Sequence, residues 1–371
     1  MAPAAAVGGQ AVMDGVMMRG PHSWAVAVRR YDGTIAEQHH PLVSFASRHR
    51  WARIPLVRGI VALVESLIIG MKALFVSSEY AIEGVEAKYD DDAADGRPSD
   101  PAREEHDLHE VEGAARRAGT TGAAGVPTFL PHHETDPTPD PSKLGTGAIV
   151  VSMIIAIGFS VFLFKVVPVS IVEFLLPIDN NSWWFVITEV IIKFTIFCGY
   201  LGLIGLMPDM KRVFQYHSSE HKAINAWERG VELKPESVNA MSRIHVRCGT
   251  AFIVWLFIIG LFVFRIAQVT FLKDAATWQV IASRPLLLPL IAGISFEILR
   301  FAGQHADNKL LRVFLAPGLW FQRLTTRECS PEQCEVAIAS LQAVVEYERV
   351  HAVEHPVESA TANEDAYRVL A

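Results

Sequence analysis

The sequence predicts an all-α integral membrane protein with about four transmembrane helices, an interfacial amphipathic helix, a small N-terminal β-hairpin and cytosolic helices. Three observations predict it. Hydrophobic residues make up 51% of the 371 residues and gather in long runs. Four of those runs approach the roughly 20 apolar residues that a bilayer crossing needs. Lysine and arginine crowd the segments on one side of the runs and are absent from a short link on the other, the asymmetry of a multi-pass protein.

Residues 1–53 form an N-terminal cytosolic segment. Its opening run, MAPAAAVGGQAVMDGVMMRGP, lacks the basic leader, apolar core and cleavage site of a secretory signal. The glycines from Gly8 to Gly20 are irregularly spaced and lack the Gly-Lys-Ser/Thr ending of a phosphate-binding loop. Gln10, Asp14 and Arg19 suit either a binding lip or a docking segment. Trp24–Arg30 and Thr34–His39 flank Tyr31-Asp32-Gly33 and read as a hairpin turned at Asp-Gly, where the β content ends.

Residues 54–78 form one helix. Arg58, Glu65 and Lys72, seven apart, make a narrow polar stripe on an otherwise apolar surface. Such a helix lies in the membrane interface or turns its stripe into a bundle, and charge bias favours the interface. Residues 79–145 are rich in Asp, Glu, Ala, Gly and Pro and read as a disordered acidic linker, in which His106, His109, His132 and His133 are solvated.

The four spans fall at Gly147–Val167, Trp183–Met207, Thr250–Leu272 and Trp278–Phe301, within regions 146–207 and 250–302. The last is interrupted or flanked by Arg284, Pro289, Glu297 and Arg300. The loop 208–249 carries Lys211, Arg212, Lys222, Arg229, Lys234, Arg243 and Arg247, whereas the link Asp179–Ser182 carries no basic residue. The positive-inside rule therefore puts this loop and both termini in the cytoplasm, with the protein in the cytoplasmic (inner) membrane. Residues 303–355 form a cytosolic helical region, where Ser330-Pro331-Glu332-Gln333 has the form of a capping box ahead of an apolar-faced helix. Residues 356–371 read as a loose tail.

The net charge of -7 comes largely from the linker, so no nucleic-acid partner is expected; the partner is the lipid bilayer, and homo-oligomerisation is left open. Four cysteines, Cys198, Cys248, Cys329 and Cys334, do not make a disulfide scaffold, and Cys329 with Cys334 lack the spacing of a zinc knuckle.

Chemistry concentrates in the loop 208–249. His217 and His221 lie at i and i+4 on one helical face, and Glu220 stands at its edge. The order H-x-x-E-H inverts the H-E-x-x-H zinc motif, in which two histidines hold the ion and a carboxylate takes a proton from water. A catalytic site wants a third ligand. His245, Cys248, Glu297 and His305 all fall at the same membrane face, and spacing does not choose among them. The expected cofactor is a divalent metal, with zinc the first candidate. The expected chemistry is metal-assisted hydrolysis, with His217 and His221 as ligands, Glu220 as general base, and Glu297, His245 or Cys248 completing the shell. A transporter or an assembly factor is the alternative. It would give the working role to Glu189 and Lys193, an i, i+4 pair inside the second span that otherwise reads as a structural ion pair.

GGQAVMDGVMMRGP, YHSSEHKAINAWERG, HVRCGTAF, FEILRFAG, PGLWFQRLTTRE and EVAIASLQAVV occur in this order along the chain. Through them it resembles the YqhQ-like bacterial membrane family, domain of unknown function 1385, described as a predicted metal-dependent enzyme. The resemblance implies a multi-span membrane protein and adds weight to metal binding by His217 and His221. It supplies no substrate. The acidic linker is longer than the family pattern, and Cys329 with Cys334 depart from it.

Overall fold

The computed structural model describes residues 7–94, 146–176, 182–272, 277–304 and 309–354. The chain divides into two compact units, one comprising Met1–Gly84 and Leu163–Ala371, the other Val85–Phe162. The remainder of the expected linker from residue 95, with its four histidines, lies outside the described residues, as do His305 and the tail. The smaller unit holds the end of helix α2 (Val57–Ala94) and helix α3 (Thr146–Val161).

In the larger unit the N-terminal segment forms an antiparallel sheet of four strands, β1 (Gly8–Val12), β2 (Gly15–Arg19), β3 (Ser23–Arg29) and β4 (Ile35–Pro41), in the order β1-β2-β3-β4. β3 and β4 are the expected hairpin, with Gly33 at φ 82° in its turn. Among the described residues no strand follows β4, but the hairpin is only half of the sheet: β1 and β2, which the sequence reading did not expect, come from the glycine-rich run before it. Asp14, at φ 51°, turns one into the other. β2 is buried along its whole length. A strand covered on both faces shows no polar/apolar alternation, which is why GVMMR does not announce itself.

The short helix α1 (Phe45–Arg48) precedes α2. After it come α4 (Val167–Leu175), α5 (Trp183–Ile204), α6 (Pro208–Glu228), α7 (Pro235–Asn239), α8 (Gly249–Thr270), α9 (Thr277–Gln304), α10 (Lys309–Thr325) and α11 (Pro331–Glu354). One face of the sheet, with Val16, Met18, Ala25 and Ala27, shares a core with Tyr216, Ala223 and Ile224 of α6 and Val336, Leu341 and Val344 of α11. The other face, with Met17, Trp24, Val26 and Val28, packs on Ile69, Ala73, Val76 and Tyr80 of α2.

α2 continues past the expected boundary at residue 78 to Ala94, because Ala, Glu and Lys in that stretch are good helix formers. Its polar stripe is turned into the protein at two of three positions. Arg58 Nε donates to Glu297 Oε1 at 2.7 Å, and Arg19 Nη2 meets Glu65 Oε2 at 2.5 Å, while Lys72 is exposed. Gly59 permits the crossing with α9, since a Cβ there would stand 2.8 Å from the Phe296 side chain. Away from the sheet, α2 exposes Val64, Leu67, Met71, Phe75 and Ile82.

Among the described residues three helical stretches are long and apolar enough to cross a membrane: Val57–Glu83 of α2, α5 and α8. Two of these coincide with expected spans. α3 is shorter, with 16 residues, and α9 carries Pro285 and Pro289 within it.

Candidate metal centre

α6 starts at Pro208, whose missing N–H costs nothing in a first turn, and stops before Gly230, which takes φ 65°. Its middle, Ser218 to Ala226, is buried throughout, so His221 stands inside the protein, with His217 partly buried beside it. The rings of His217 and His221 lie 4.5 Å apart between centroids, as the i, i+4 spacing requires.

Cys248 caps the N-terminus of α8, its sulfur accepting from Thr250 N–H at 3.4 Å, and stands 3.3 Å from His217 Nε2. Ligand atoms of His217, His221 and Cys248 all lie within 4.8 Å of one another. Zinc bonds of about 2.0–2.3 Å at tetrahedral angles separate neighbouring ligand atoms by about 3.3–3.7 Å, a spacing the His217–Cys248 pair meets and the whole set lies near.

Ring orientation favours the same reading. His217 Nδ1 donates to Thr325 O at 2.9 Å, and His221 Nδ1 donates to Arg243 O at 2.6 Å. Bonds of this kind direct both Nε2 atoms at the centre, as they do for metal-ligating histidines. His221 Nε2 is buried there with no hydrogen-bond partner. Glu220 Oε2 lies 4.0 Å from His217 Nε2 and 3.9 Å from His221 Nε2. Gly9 of β1 allows this carboxylate its place, because a Cβ at Gly9 would come within 2.8 Å of Glu220 Cγ.

The titratable groups of the cluster are strongly coupled to one another. Burial alone would raise the Cys248 thiol, yet His221 and His217 beside it hold it well below its ordinary value. Burial would lower His221, but Cys248 and Glu220 outweigh that and push it up to about 9. His217 is raised in the same way, against its burial, by Cys248. Glu220 is raised by burial, which the neighbouring histidines only partly offset. A divalent ion bound by these groups would compete with protons for them.

Of the three residues expected to complete the shell, Cys248 joins the histidines. His245 is pinned by Gln322, which accepts from its N–H at 3.0 Å and donates to its carbonyl at 2.7 Å, and its Nε2 faces Glu228 Oε2 at 3.4 Å. Glu297 is engaged with Arg58 and with Leu56 N–H, at 3.2 Å. Residues that sequence reasoning missed are Thr325, Arg243 and Gln322. The first two act through backbone carbonyls, which leave no residue-type signal. Cys329 and Cys334 are buried elsewhere, sulfurs 3.6 Å apart and near Asn239.

Fold and site together define a helical protein with membrane-length helices, a covered N-terminal sheet and a largely enclosed His/His/Cys cluster. Residues 54–347 match the family described as protein of unknown function (DUF1385), and the chain belongs to that family. The uncharacterized protein YqhQ of Bacillus subtilis (strain 168) is 32% identical over 349 residues, covering 92% of this chain and 93% of its own. No solved structure matches.

Proposed function

We propose that the protein is a metal-dependent hydrolase of the cytoplasmic membrane, with its site on the cytosolic face. The observation that carries this is the convergence of His217 Nε2, His221 Nε2 and Cys248 Sγ, with both Nδ1 atoms engaged by backbone carbonyls. A divalent metal held there, zinc by its donor set, would supply a Lewis acid and lower the pKa of a bound water. Glu220 is the general base. It stands at the edge of the ligand set, and its burial raises its proton affinity towards the range in which one group can both take and return a proton. Three protein ligands leave a coordination position open, which separates a catalytic from a closed structural arrangement.

The reading takes a topology of four spans with both termini cytoplasmic. The sheet and α6 share one core and therefore one side of the bilayer. α5 crosses once just before α6, so the chain crosses an odd number of times between the sheet and α5. α2 is held against the sheet along Ile69 to Tyr80 and stays at the interface, leaving the crossing to the helical stretch 146–175. α8 and α9 make the remaining pair. On this reading the units are the cytosolic sheet of residues 1–53, the interfacial helix, the linker, two span pairs and the cytosolic helices between and after them.

The test is metal analysis of detergent-purified wild type. Near-stoichiometric zinc, manganese or iron is expected, and most of it should be lost in His217→Ala and His221→Ala. Protein that is metal-free after chelator-free preparation, and that takes up none of these ions on titration, would overturn the assignment.

A further inference from the structure

We infer that Cys329 and Cys334 form an oxidisable dithiol outside the metal centre: a hydroperoxide oxidises Cys329, and Cys334 closes an intramolecular disulfide on it. The two sulfurs lie 3.6 Å apart in non-bonded contact, and a disulfide needs them about 1.6 Å closer. The start of α11 sets this approach. Ser330 is its N-cap, with Oγ accepting from Gln333 N–H at 3.4 Å while Gln333 Oε1 accepts from Ser330 N–H at 3.0 Å. Cys329 therefore stands at N′ and Cys334 at N4, the two positions that a capped helix folds against each other. Two apolar side chains would satisfy that packing, and it makes no use of the polar groups beside these sulfurs. Cys329 Sγ lies 3.6 Å from Asn239 Oδ1, and the same oxygen accepts from Lys222 Nζ at 2.9 Å. Lys222 is itself buried, and Glu328 Oε2 holds it from the other side at 3.0 Å.

The two sulfurs have unequal parts. Cys334 is fully enclosed, whereas Cys329 keeps 7% of its surface exposed, so a small oxidant reaches Cys329 first. The hydrogen bond from the Cys334 thiol, with the Lys222 charge adding to it, brings the Cys329 thiol down to about 7 against its burial, and the same bond pushes Cys334 up. The thiolate is the nucleophile. It attacks one oxygen of the hydroperoxide: an S–O bond forms, the O–O bond breaks, and the other oxygen leaves as water or an alcohol with the proton that Cys329 gave up. The Cys334 sulfur then attacks the sulfenic sulfur, the S–S bond forms, the S–O bond breaks, and hydroxide leaves as water with the Cys334 proton. Each sulfur gives up one electron and the peroxide takes two. A metal is the poorer occupant. Among the described residues no third histidine, cysteine or carboxylate ligand atom joins these sulfurs, and the Lys222 ammonium beside them repels a cation.

The experiment uses the full-length protein in neutral detergent, reduced and then exposed to hydrogen peroxide near neutral pH. It follows the tryptic peptide from Glu328 to Arg349, which carries both cysteines of the pair and no other. Wild type should convert that peptide to a form lighter by two hydrogens, restored by a dithiol reductant, at least tenfold faster than Cys198 loses its thiol. Cys334→Ser should stop at a sulfenic acid on Cys329 that dimedone captures, and Cys329→Ser should leave Cys334 reduced over the same interval. Cys334→Ala and Cys329→Ala replace these variants should either serine not fold. A wild-type peptide that still carries both thiols once Cys198 has reacted, oxidation that runs to sulfinic acid with no disulfide, or a dimedone adduct on Cys334 in place of Cys329 would each overturn the inference.

Discussion

Cys248→Ser separates the metal from the fold, because the residue has two jobs that serine performs unequally. As N-cap of α8 it accepts the Thr250 N–H, a role serine fills well, so stability without metal should change by less than about 1 kcal/mol. As the proposed ligand it would supply a thiolate that His221 and His217 already favour, and serine has no comparable anion near neutral pH. Structural zinc sites bind with about 10–16 kcal/mol across four ligands, roughly 3 kcal/mol each. Losing one of three should therefore weaken zinc about a hundredfold. Glu220→Gln removes no ligand and should keep zinc within a few-fold of wild type while abolishing any hydrolysis found. The assay is competition with a chromophoric zinc chelator, read beside the thermal midpoint of the metal-free proteins. Equal zinc affinity in Cys248→Ser and wild type would refute the ligand set. A large loss of metal-free stability would refute the account of the cap.

Gly9→Ala should destabilise the protein by about 1–3 kcal/mol, because the added methyl would stand 2.7 Å from Met17 O and 2.8 Å from Glu220 Cγ; an unchanged urea midpoint would count against this packing. His245 is pushed down to about 4 by burial, with His221 adding to the effect, so the unfolded chain binds its proton more readily than the fold does. Its contribution is whole above about 6.5 and is lost as pH falls towards 4, by up to about 3 kcal/mol, and denaturation between those values should be flatter in His245→Gln. Lys234→Cys, at an exposed position between α6 and α7, should resist an impermeant thiol reagent in intact cells, and ready labelling would reverse the orientation. Phe75→Trp, on the exposed apolar face of α2, should be quenched by brominated acyl chains; fluorescence quenched only from water would remove α2 from the interface.

What the sequence disclosed follows from which physical signals are local. α5 and α8 are visible because apolar runs of bilayer length have few other uses. The β3–β4 hairpin is visible because Gly33 needs a positive φ. β1 and β2 are hidden, since their burial comes from partners on both sides: Met17 faces α2 while Met18 faces α6 and α11. α2 is ambiguous for the same reason, one of its apolar faces meeting the sheet and the other left uncovered. His217 and His221 were legible from their spacing. The third member of the cluster was not, because His245, Cys248 and Glu297 fall at neighbouring positions in the sequence reading and their orientations are decided by Gln322, Thr250 and Arg58.

The site draws its parts from elements with different attachments. α6 belongs to the core shared with the sheet, whereas Cys248 belongs to the first turn of a helix long enough to cross the bilayer, and the carbonyl that orients His217 comes from the end of α10. The His217–His221–Cys248 cluster therefore closes only when the start of α8 is seated against α6 and α10. His217 Nε2 at 3.3 Å from the Cys248 sulfur is that contact, and the Gln322 bonds to both sides of the His245 backbone hold the intervening loop in register. A metal bound by His217, His221 and Cys248 would tie the sheet-bearing core to the membrane helix. Its binding free energy would then be shared between chemistry and docking, so metal affinity and the stability of the α6–α8 junction should rise and fall together.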